Sequence, residues 1–228
     1  MTVVYDDIDQ LPAKKPGTTR YVCMSDTHAR TRFPFTIPDG DVFIHAGDMT
    51  SFGTTSKQYA PTIRWMGSLP HKVKIVCAGN HDHCMDLAFH GVEPERRKIM
   101  QLFQEHGITY VEHSALQLPE FLGGHRFFVS PYTTWHYGGA FMKRSLENKW
   151  HDMPEGIDIL VTHGPAYDHL DQTRRGIKAG CPHLADRIRH VRPKVHVFGH
   201  IHEAHGHAVQ DNVLFINAAH GQPIVFDL

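Results

Sequence analysis

The stretch DVFIHAGD, residues 41–48, holds the pattern that decides the fold. A short and nearly continuous apolar run, residues 42–46, is followed directly by a glycine and by the acidic residue Asp48. Runs of this kind, rich in β-branched and aromatic side chains, are typical of strands covered on both faces, as in α/β proteins. We therefore predict a strand over residues 41–46, with Asp48 in the loop beyond its carboxyl end.

Four other stretches repeat this arrangement. They are TRYVCMSDTH (19–28), KVKIVCAGNHD (72–82), IDILVTHGP (157–165) and KVHVFGHIH (194–202). Their apolar parts predict strands over residues 19–25, 72–78, 157–162 and 194–198. In α/β sheets, ligands bind beyond the carboxyl ends of the strands. If the five strands are parallel neighbours, their polar loops converge at one edge.

The remaining sequence predicts more strands and three helices. Strands are expected at residues 125–130, 205–209, 213–217 and 223–226, and helices at 56–69, 95–106 and 182–191. Pro61 is expected in the first turn of its helix or at a kink. The strands are too many for one simple parallel sheet. We therefore expect an α/β fold of the α+β type, with two stacked mixed sheets flanked by helices.

Two segments lack a clear period. Residues 131–156 are rich in aromatic residues and glycine, and they predict a long surface loop with about one helical turn. Residues 1–18 are polar, contain two prolines and predict an extended or loosely attached lead-in. Residues 19–228 are then expected to form a single domain, a common size for one α/β domain.

The composition excludes several classes of partner. The 228 residues carry a net charge of −1, so neither a nucleic-acid polymer nor an anionic membrane is expected to bind. The start of the chain resembles neither a signal peptide nor an anchor, and no apolar run approaches membrane-spanning length. Four scattered cysteines without a CxxC pair favour reduced thiols and a cytoplasmic location.

The polar loops carry seven side chains of the metal-binding type: Asp26, His28, Asp48, Asn80, His163, His200 and His202. This mixed nitrogen and oxygen set, without a thiolate, suits manganese, iron, cobalt or zinc. Seven groups are too many for one ion but suit two, provided that one carboxylate bridges. Asp48 is the natural bridge, because it arrives alone on its loop.

Each motif has a plain alternative interpretation when taken singly. Gly-Asn-His-Asp at 79–82 is compatible with an ordinary turn, and the 21 histidines are spread along the whole chain. The joint occurrence of five such motifs at the ends of five predicted strands favours the metal centre.

The motifs DTH (26–28), GD (47–48), GNHD (79–82), THGP (162–165) and GHIH (199–202) occur in the order found in a known superfamily. The chain resembles the calcineurin-like metallophosphoesterases from residue 19 to residue 228. Residues 47–81 and 154–206 resemble the branch of metallophosphoesterase-domain proteins, which is similar to class III cyclic nucleotide phosphodiesterases. The resemblance implies a four-layer αββα sandwich.

The resemblance also implies roles for individual residues. The first ion would be held by Asp26, His28, Asp48 and His202, and the second by Asp48, Asn80, His163 and His200. His81 would not be a ligand and would face the phosphoryl oxygen or the leaving group. Asp82 follows it directly and is expected to hold its imidazole as a supporting catalytic residue. Manganese is the expected metal, with iron, zinc or cobalt as alternatives.

The expected activity is hydrolysis of small phosphodiesters such as cyclic nucleotides, by attack of a hydroxide that bridges the two ions. A phosphomonoesterase or nucleotidase is the alternative, and a catalytically weak nucleotide-binding or scaffold relative is a third. The candidate substrate-binding residues are His81, His136, Arg174 and Arg175. The last two are also compatible with a solvated charge pair, and His136 with a loop anchor. Loops 131–156 and 165–181 would set specificity, and the oligomeric state stays open.

Overall fold

The computed structural model describes residues 2–5 and 7–228, and these form two six-stranded sheets, one two-stranded sheet and four α-helices. In chain order the strands are β1 (Val3–Tyr5), β2 (Arg20–Met24), β3 (Val42–His45), β4 (Val73–Val76), β5 (Thr109–Tyr110), β6 (Ser114–Gln117), β7 (Arg126–Ser130), β8 (Thr133–Thr134), β9 (Met142–Lys143), β10 (Ile159–Thr162), β11 (Val195–Phe198), β12 (Gly206–Gln210), β13 (Val213–Asn217) and β14 (Ile224–Asp227). The helices are α1 (Ser56–Ser68), α2 (Glu93–Glu105), α3 (Glu147–His151) and α4 (Pro182–Val191).

Both large sheets are mixed. The first has the order β1-β14-β2-β3-β4-β5, with β2 to β5 parallel and β14 antiparallel to both of its neighbours. The second has the order β12-β13-β11-β10-β7-β6, with a parallel centre and an antiparallel strand at each edge. Strands β8 and β9 pair separately.

Alternating side chains of these strands build three apolar layers. Ile44 packs with Val129 and other residues of both sheets in the layer between the sheets. Phe43, on the other face of β3, packs with residues of α1 and α2, and Phe128 packs with residues of α3 and α4. The predicted arrangement of two stacked sheets covered by helices is therefore confirmed, as four layers in the order αββα.

The strands and helices predicted from the sequence are present, with ends displaced by at most two residues. Pro61 lies inside α1 rather than in its first turn, and the helix runs through it from Ser56 to Ser68. Local apolar periodicity is a strong signal for elements buried in a layered core, which explains this agreement.

The two segments without a clear period differ from their predictions. Residues 3–5 are not a loose lead-in, because they form β1, pair with β14 and place the Tyr5 hydroxyl 2.8 Å from Asp227 Oδ2. Residues 131–156 contain the predicted helical turn, α3, but the segment is not a surface loop throughout, because it also forms β8 and β9 and buries Phe141 and Trp150. The partner of β1 lies at the far end of the sequence, whereas β8 and β9 pair with each other within the segment.

None of the helices within residues 2–5 and 7–228 is long and apolar enough to cross a membrane. The four cysteines are free thiols and all are buried.

Candidate metal centre

Five loops meet at one edge of the paired sheets. They follow β2, β3 and β4 of the first sheet and β10 and β11 of the second, and the strands are parallel within each set. Parallel strands end at the same edge of a sheet. The seven side chains predicted as ligands consequently lie in one connected cluster.

Four of these residues have a left-handed backbone. The φ angle is +56° at Asp26, +45° at His28, +53° at Asp48 and +72° at His200. Each such conformation costs a non-glycine residue about 1–3 kcal/mol and persists only where the surroundings enforce it. The Asp26 N–H donates to the Gly47 carbonyl at 2.9 Å, and the His28 N–H donates to the Asp48 carbonyl at 3.0 Å. These bonds hold the strained loops together.

Glycine is required beside the cluster because the loops approach closely. Gly47 has φ +105°, and a Cβ placed on it would lie 2.6 Å from His163 Nδ1 and 2.7 Å from the Ala78 carbonyl oxygen. A Cβ on Gly79 would collide with the Asp48 carboxylate. Only a residue without a side chain fits either position.

The second group of predicted ligands surrounds His163, which is fully buried. Its Nδ1–H donates to the Ala46 carbonyl at 2.9 Å, so Nε2 faces the cluster. Nε2 lies 2.8 Å from Asn80 Oδ1 and 3.4 Å from Asp48 Oδ1, and the His200 ring centre is 5.0 Å from that of His163. His163 Nε2 must carry a proton to bond to these two oxygens. A metal cation can take the place of that proton, because the nitrogen and both oxygens are then free to coordinate it.

The first group is more open to solvent. His202 Nε2 lies 3.1 Å from Asp26 Oδ1 and 3.3 Å from His28 Nε2. The other Asp26 oxygen accepts the backbone N–H of His200 at 3.0 Å, which links the two groups. Asp26 is fully buried, whereas the His202 side chain is 39% exposed.

Asp48 lies between the two groups. Its carboxylate is within 4.8 Å of ring nitrogens of His28 and His81 on one side and of His163 and His200 on the other. The His81 backbone N–H donates to Asp48 Oδ1 at 2.8 Å and fixes its orientation. A carboxylate shared by two ions needs this position, which supports the bridging role predicted for Asp48.

Buried carboxylates dominate the electrostatics. Burial disfavours the charged form of His163, but the Asp48 and Asp26 carboxylates outweigh it and raise the pKa of His163 to about 9. Burial and the nearby His163 lower the pKa of His200 to about 3, so its imidazole is neutral and able to coordinate. The field that favours an imidazolium at His163 also favours a metal cation.

His81 stands at the edge of the cluster. Its Nε2 is 3.8 Å from Asp48 Oδ2, and its ring packs against His28 and the exposed Phe52, with ring centres 4.8 and 4.3 Å away. Its buried Nδ1 has no hydrogen-bond partner within the described part of the chain. The ring is therefore held by packing, with its edge toward the centre.

Asp82 does not hold the His81 imidazole, and that prediction is wrong. Its carboxylate accepts hydrogen bonds from the backbone N–H groups of Gly79 at 2.8 Å, Met49 at 3.2 Å and Thr50 at 3.0 Å. The turn directs these consecutive side chains differently, and Asp82 points into the protein. It ties the loop after β4 to the loop after β3.

A cavity of about 700 Å³ opens beside His200. His136 lines it, with its ring centre 5.1 Å from that of His200, and Arg174 and Arg175 line it as well. The exposed aromatic rings of Trp135 and Tyr137 complete this part of the wall. The structure thus brings the three candidate substrate-binding residues outside the metal motifs to one cavity.

Two further histidines support the centre and were not among the residues predicted for the site. His45 Nε2 lies 3.0 Å from the hydroxyl of Thr27, which stands between two ligand residues. His196 Nε2 lies 2.8 Å from the hydroxyl of Thr162, the residue before His163. Both histidines are fully buried. The available signal was an imidazole inside an otherwise apolar strand that ends in a ligand loop.

Solved structures with the same architecture include a phosphopantetheinyl hydrolase from Mycobacterium tuberculosis, with a TM-score of 0.56 and 13% identity over 89% of each chain. Another is the protein TT1561 of Thermus thermophilus, with a TM-score of 0.54 and 12% identity over 88% of each chain. At these identities the likeness concerns the fold alone.

Sequence relatives are nearer. Human metallophosphoesterase domain-containing protein 1 is 37% identical over 97% of this chain and 75% of its own length. A UPF0046 protein of Caenorhabditis elegans is 35% identical over 92% of this chain and 80% of its own. The sequence pattern of the calcineurin-like phosphoesterases matches residues 19–204. The chain therefore belongs to the calcineurin-like phosphoesterase family, as its five loop motifs predicted.

Proposed function

We propose that this protein is a two-ion phosphoesterase that hydrolyses small phosphodiesters. One ion would be held by Asp26, His28, Asp48 and His202, and the other by Asp48, Asn80, His163 and His200. The observation that carries the proposal is the convergence of these nitrogen and oxygen donors around one buried, shared carboxylate. When bound, divalent ions in such a site polarise a phosphoryl oxygen and lower the pKa of bound water.

Manganese is the metal that we propose first, with iron, zinc or cobalt as alternatives. The donor set supports any of these, because imidazole nitrogen and carboxylate oxygen suit all four and geometry alone does not separate them. Metal content of the purified protein decides between them.

His81 is proposed to act on the substrate rather than on the ions. Its half-buried ring stands beside Asp48 and is not tied by a side-chain hydrogen bond to Asp82. Burial lowers the pKa of His81, so a neutral imidazole is present at neutral pH. Such a ring can donate one N–H to a phosphoryl oxygen or to the departing oxygen.

The cavity beside His200 supports a nucleotide-like substituent on the substrate. Trp135 and Tyr137 offer faces on which a base can stack, and Arg174 and Arg175 add positive charge. A cyclic nucleotide, or a similar small diester with one flat substituent, fits this combination. The intact set of seven ligands argues against a purely scaffolding role.

A paired assay tests the activity. The protein is loaded with Mn²⁺ and given bis-p-nitrophenyl phosphate or p-nitrophenyl phosphate, with a chelator as the control. We expect faster hydrolysis of the diester and loss of both activities with the chelator. A preference for the monoester would replace the diesterase by a phosphomonoesterase. Two bound ions without turnover would indicate a binding protein. A panel of 2′,3′- and 3′,5′-cyclic nucleotides then identifies the substrate.

We also propose a cytoplasmic location and a small phosphate ester or nucleotide as the partner. Four buried free thiols support a reducing compartment. Fractionation of the cells that produce the protein tests the location.

A further inference from the structure

A second cavity, of about 390 Å³, adjoins the metal centre at Asp26 and Thr27. Its wall includes Asp26, whereas the cavity of about 700 Å³ includes His200. The two cavities share no lining residue and reach the ligand cluster at different predicted ligands. A phosphate ester held at the cluster could extend into both.

The second cavity carries positive charge. Arg30 and Arg32 line it, and neither forms an ion pair with a carboxylate of residues 2–5 and 7–228. The acidic residue in its wall is Asp26, which is fully buried and already bonded to His202 and to the backbone of His200. The cavity thus offers guanidinium donors without acidic partners.

Arg30 is held toward the metal centre. Its Nε–H donates to the Thr27 carbonyl at 3.4 Å, and its Nη2 lies 2.7 Å from His220 Nδ1. The His220 ring is stacked on the His202 ring, with centres 4.8 Å apart and an angle of 14°. A chain of contacts therefore runs from a predicted ligand of the first ion to the Arg30 guanidinium.

His220 is kept in place at a conformational cost. Its φ is +50°, and its backbone N–H donates to the Ser25 carbonyl at 3.2 Å. A non-glycine residue with this φ persists where the surroundings enforce it, often at ligand clamps. The strain at His220 resembles that of the four metal-ligand residues, although His220 belongs to none of the metal motifs.

We propose that this second cavity is a subsite for a second anionic group, a phosphate, that the substrate carries outside the cavity beside His200. Arg30 and Arg32 bind it, and His220 positions Arg30. Guanidinium groups recognise phosphate oxygens with two parallel donors. The half-buried rings of Phe33 and Phe35, with centres 5.3 Å apart, form the apolar floor beneath it.

The proposal rests on the proposed function, because it takes the metal cluster as the place of the scissile phosphate. It narrows the substrate to phosphate esters with a further phosphate on one arm. A simple 3′,5′-cyclic nucleotide would leave this subsite without a ligand.

Binding measurements test the subsite independently of turnover. The affinities of adenosine 5′-monophosphate and adenosine 3′,5′-bisphosphate are compared by calorimetry with the Mn²⁺-loaded protein. We expect the bisphosphate to bind about tenfold more tightly, the effect of one additional charge-assisted contact. The double variant Arg30→Gln/Arg32→Gln should lose this advantage and keep its affinity for the monophosphate.

Two control variants make the result specific. Arg97→Gln changes an exposed arginine on α2 that pairs with Glu93, and it should leave the advantage intact. Arg174→Gln changes the cavity beside His200. Three results would overturn the subsite. The double variant could still bind the bisphosphate more tightly than the monophosphate, or Arg174→Gln could lose this difference while the double variant keeps it. The wild-type protein could also bind the two nucleotides equally or not at all. Failure of the proposed function appears separately, as absence of Mn²⁺-dependent hydrolysis of the aryl diester.

Discussion

The two halves of the metal centre use similar side chains at different depths. The half built on Asp26 includes His28, which is partly exposed, and His202, whose side chain is 39% exposed. The half around His163 includes Asn80, and both of these residues are buried. One of the two proposed ion sites is therefore open to solvent, while the other is part of the protein core.

The threonine hydroxyls that support the ligand loops of the two halves also differ, and the one in the more buried half makes more hydrogen bonds. Thr162 donates its hydroxyl hydrogen to the Gly164 carbonyl at 2.6 Å, so it must accept the N–H of His196. The turn that carries His163 is thus held from two sides. Within residues 2–5 and 7–228, the Thr27 hydroxyl has one hydrogen-bond partner, His45. We infer that the His163 half is the more rigid one.

The largest effect is expected from Asp48→Asn, because this residue belongs to both halves. Loss of the shared charge should reduce binding of both ions. Turnover should fall on the order of 10³-fold, which is the upper range for removal of one preorganised group from an active site. Metal analysis and kinetics measure the two effects. Asp186→Asn, on the surface of α4, is the matched control. A variant that loses only one ion would show that Asp48 does not bridge.

His81→Ala separates chemistry from metal binding. We expect turnover to fall about 10²-fold, the lower range for loss of a general acid or base, while both ions stay bound. Elemental analysis beside steady-state kinetics gives the answer, with the exposed His151→Ala as the control. Full activity in the variant would remove His81 from the mechanism, and loss of an ion would make it a ligand.

The paired substitutions Thr162→Val and Thr27→Val test the difference in support. Each replaces a buried hydroxyl by a methyl group, and loss of such a support typically weakens metal binding about 10- to 100-fold. Thr162→Val should weaken binding of the second ion by about 100-fold, whereas Thr27→Val should weaken binding of the first ion by about tenfold. Titration with Mn²⁺ resolves the two sites.

Thr133→Val provides the reference for that pair, because the buried Thr133 hydroxyl has no hydrogen-bond partner within the described chain. Its metal affinities should match those of the wild-type protein. If each test variant lost metal affinity equally at both sites, the two threonine hydroxyls would act on the stability of the whole protein and not on one half of the centre.

The smallest effect concerns the order of metal release. A chelator should remove the ion at Asp26, His28 and His202 a few times faster than the ion at His163, because solvent reaches the first set. Stopping the reaction at intervals and measuring the metal content follows the release. Loss of both ions in a single step would indicate that the two halves open together.

The agreement between sequence and structure has a local cause. Short, nearly continuous apolar runs define buried strands without reference to distant partners, and a polar residue directly after such a run lies in the loop at the strand end. For this reason the stretch around residues 41–48 and the four runs like it were predictable as strands, while the family was predictable from the resemblance of the five motifs that follow them. The metal-binding roles of the seven residues stay predictions, supported by their convergence.

The predictions that were wrong concerned features that depend on contacts between distant parts of the chain. Whether Asp82 would reach His81 was decided by the turn that carries both, and β1 exists because β14 lies beside it. The two cavities are formed by loops that come together only in the folded protein. The sequence by itself therefore determined the strands, the loops and the types of ligand, since these follow from local patterning. Only the tertiary structure decided which side chains support the centre and where a substrate could lie, because those relations join residues remote in the chain.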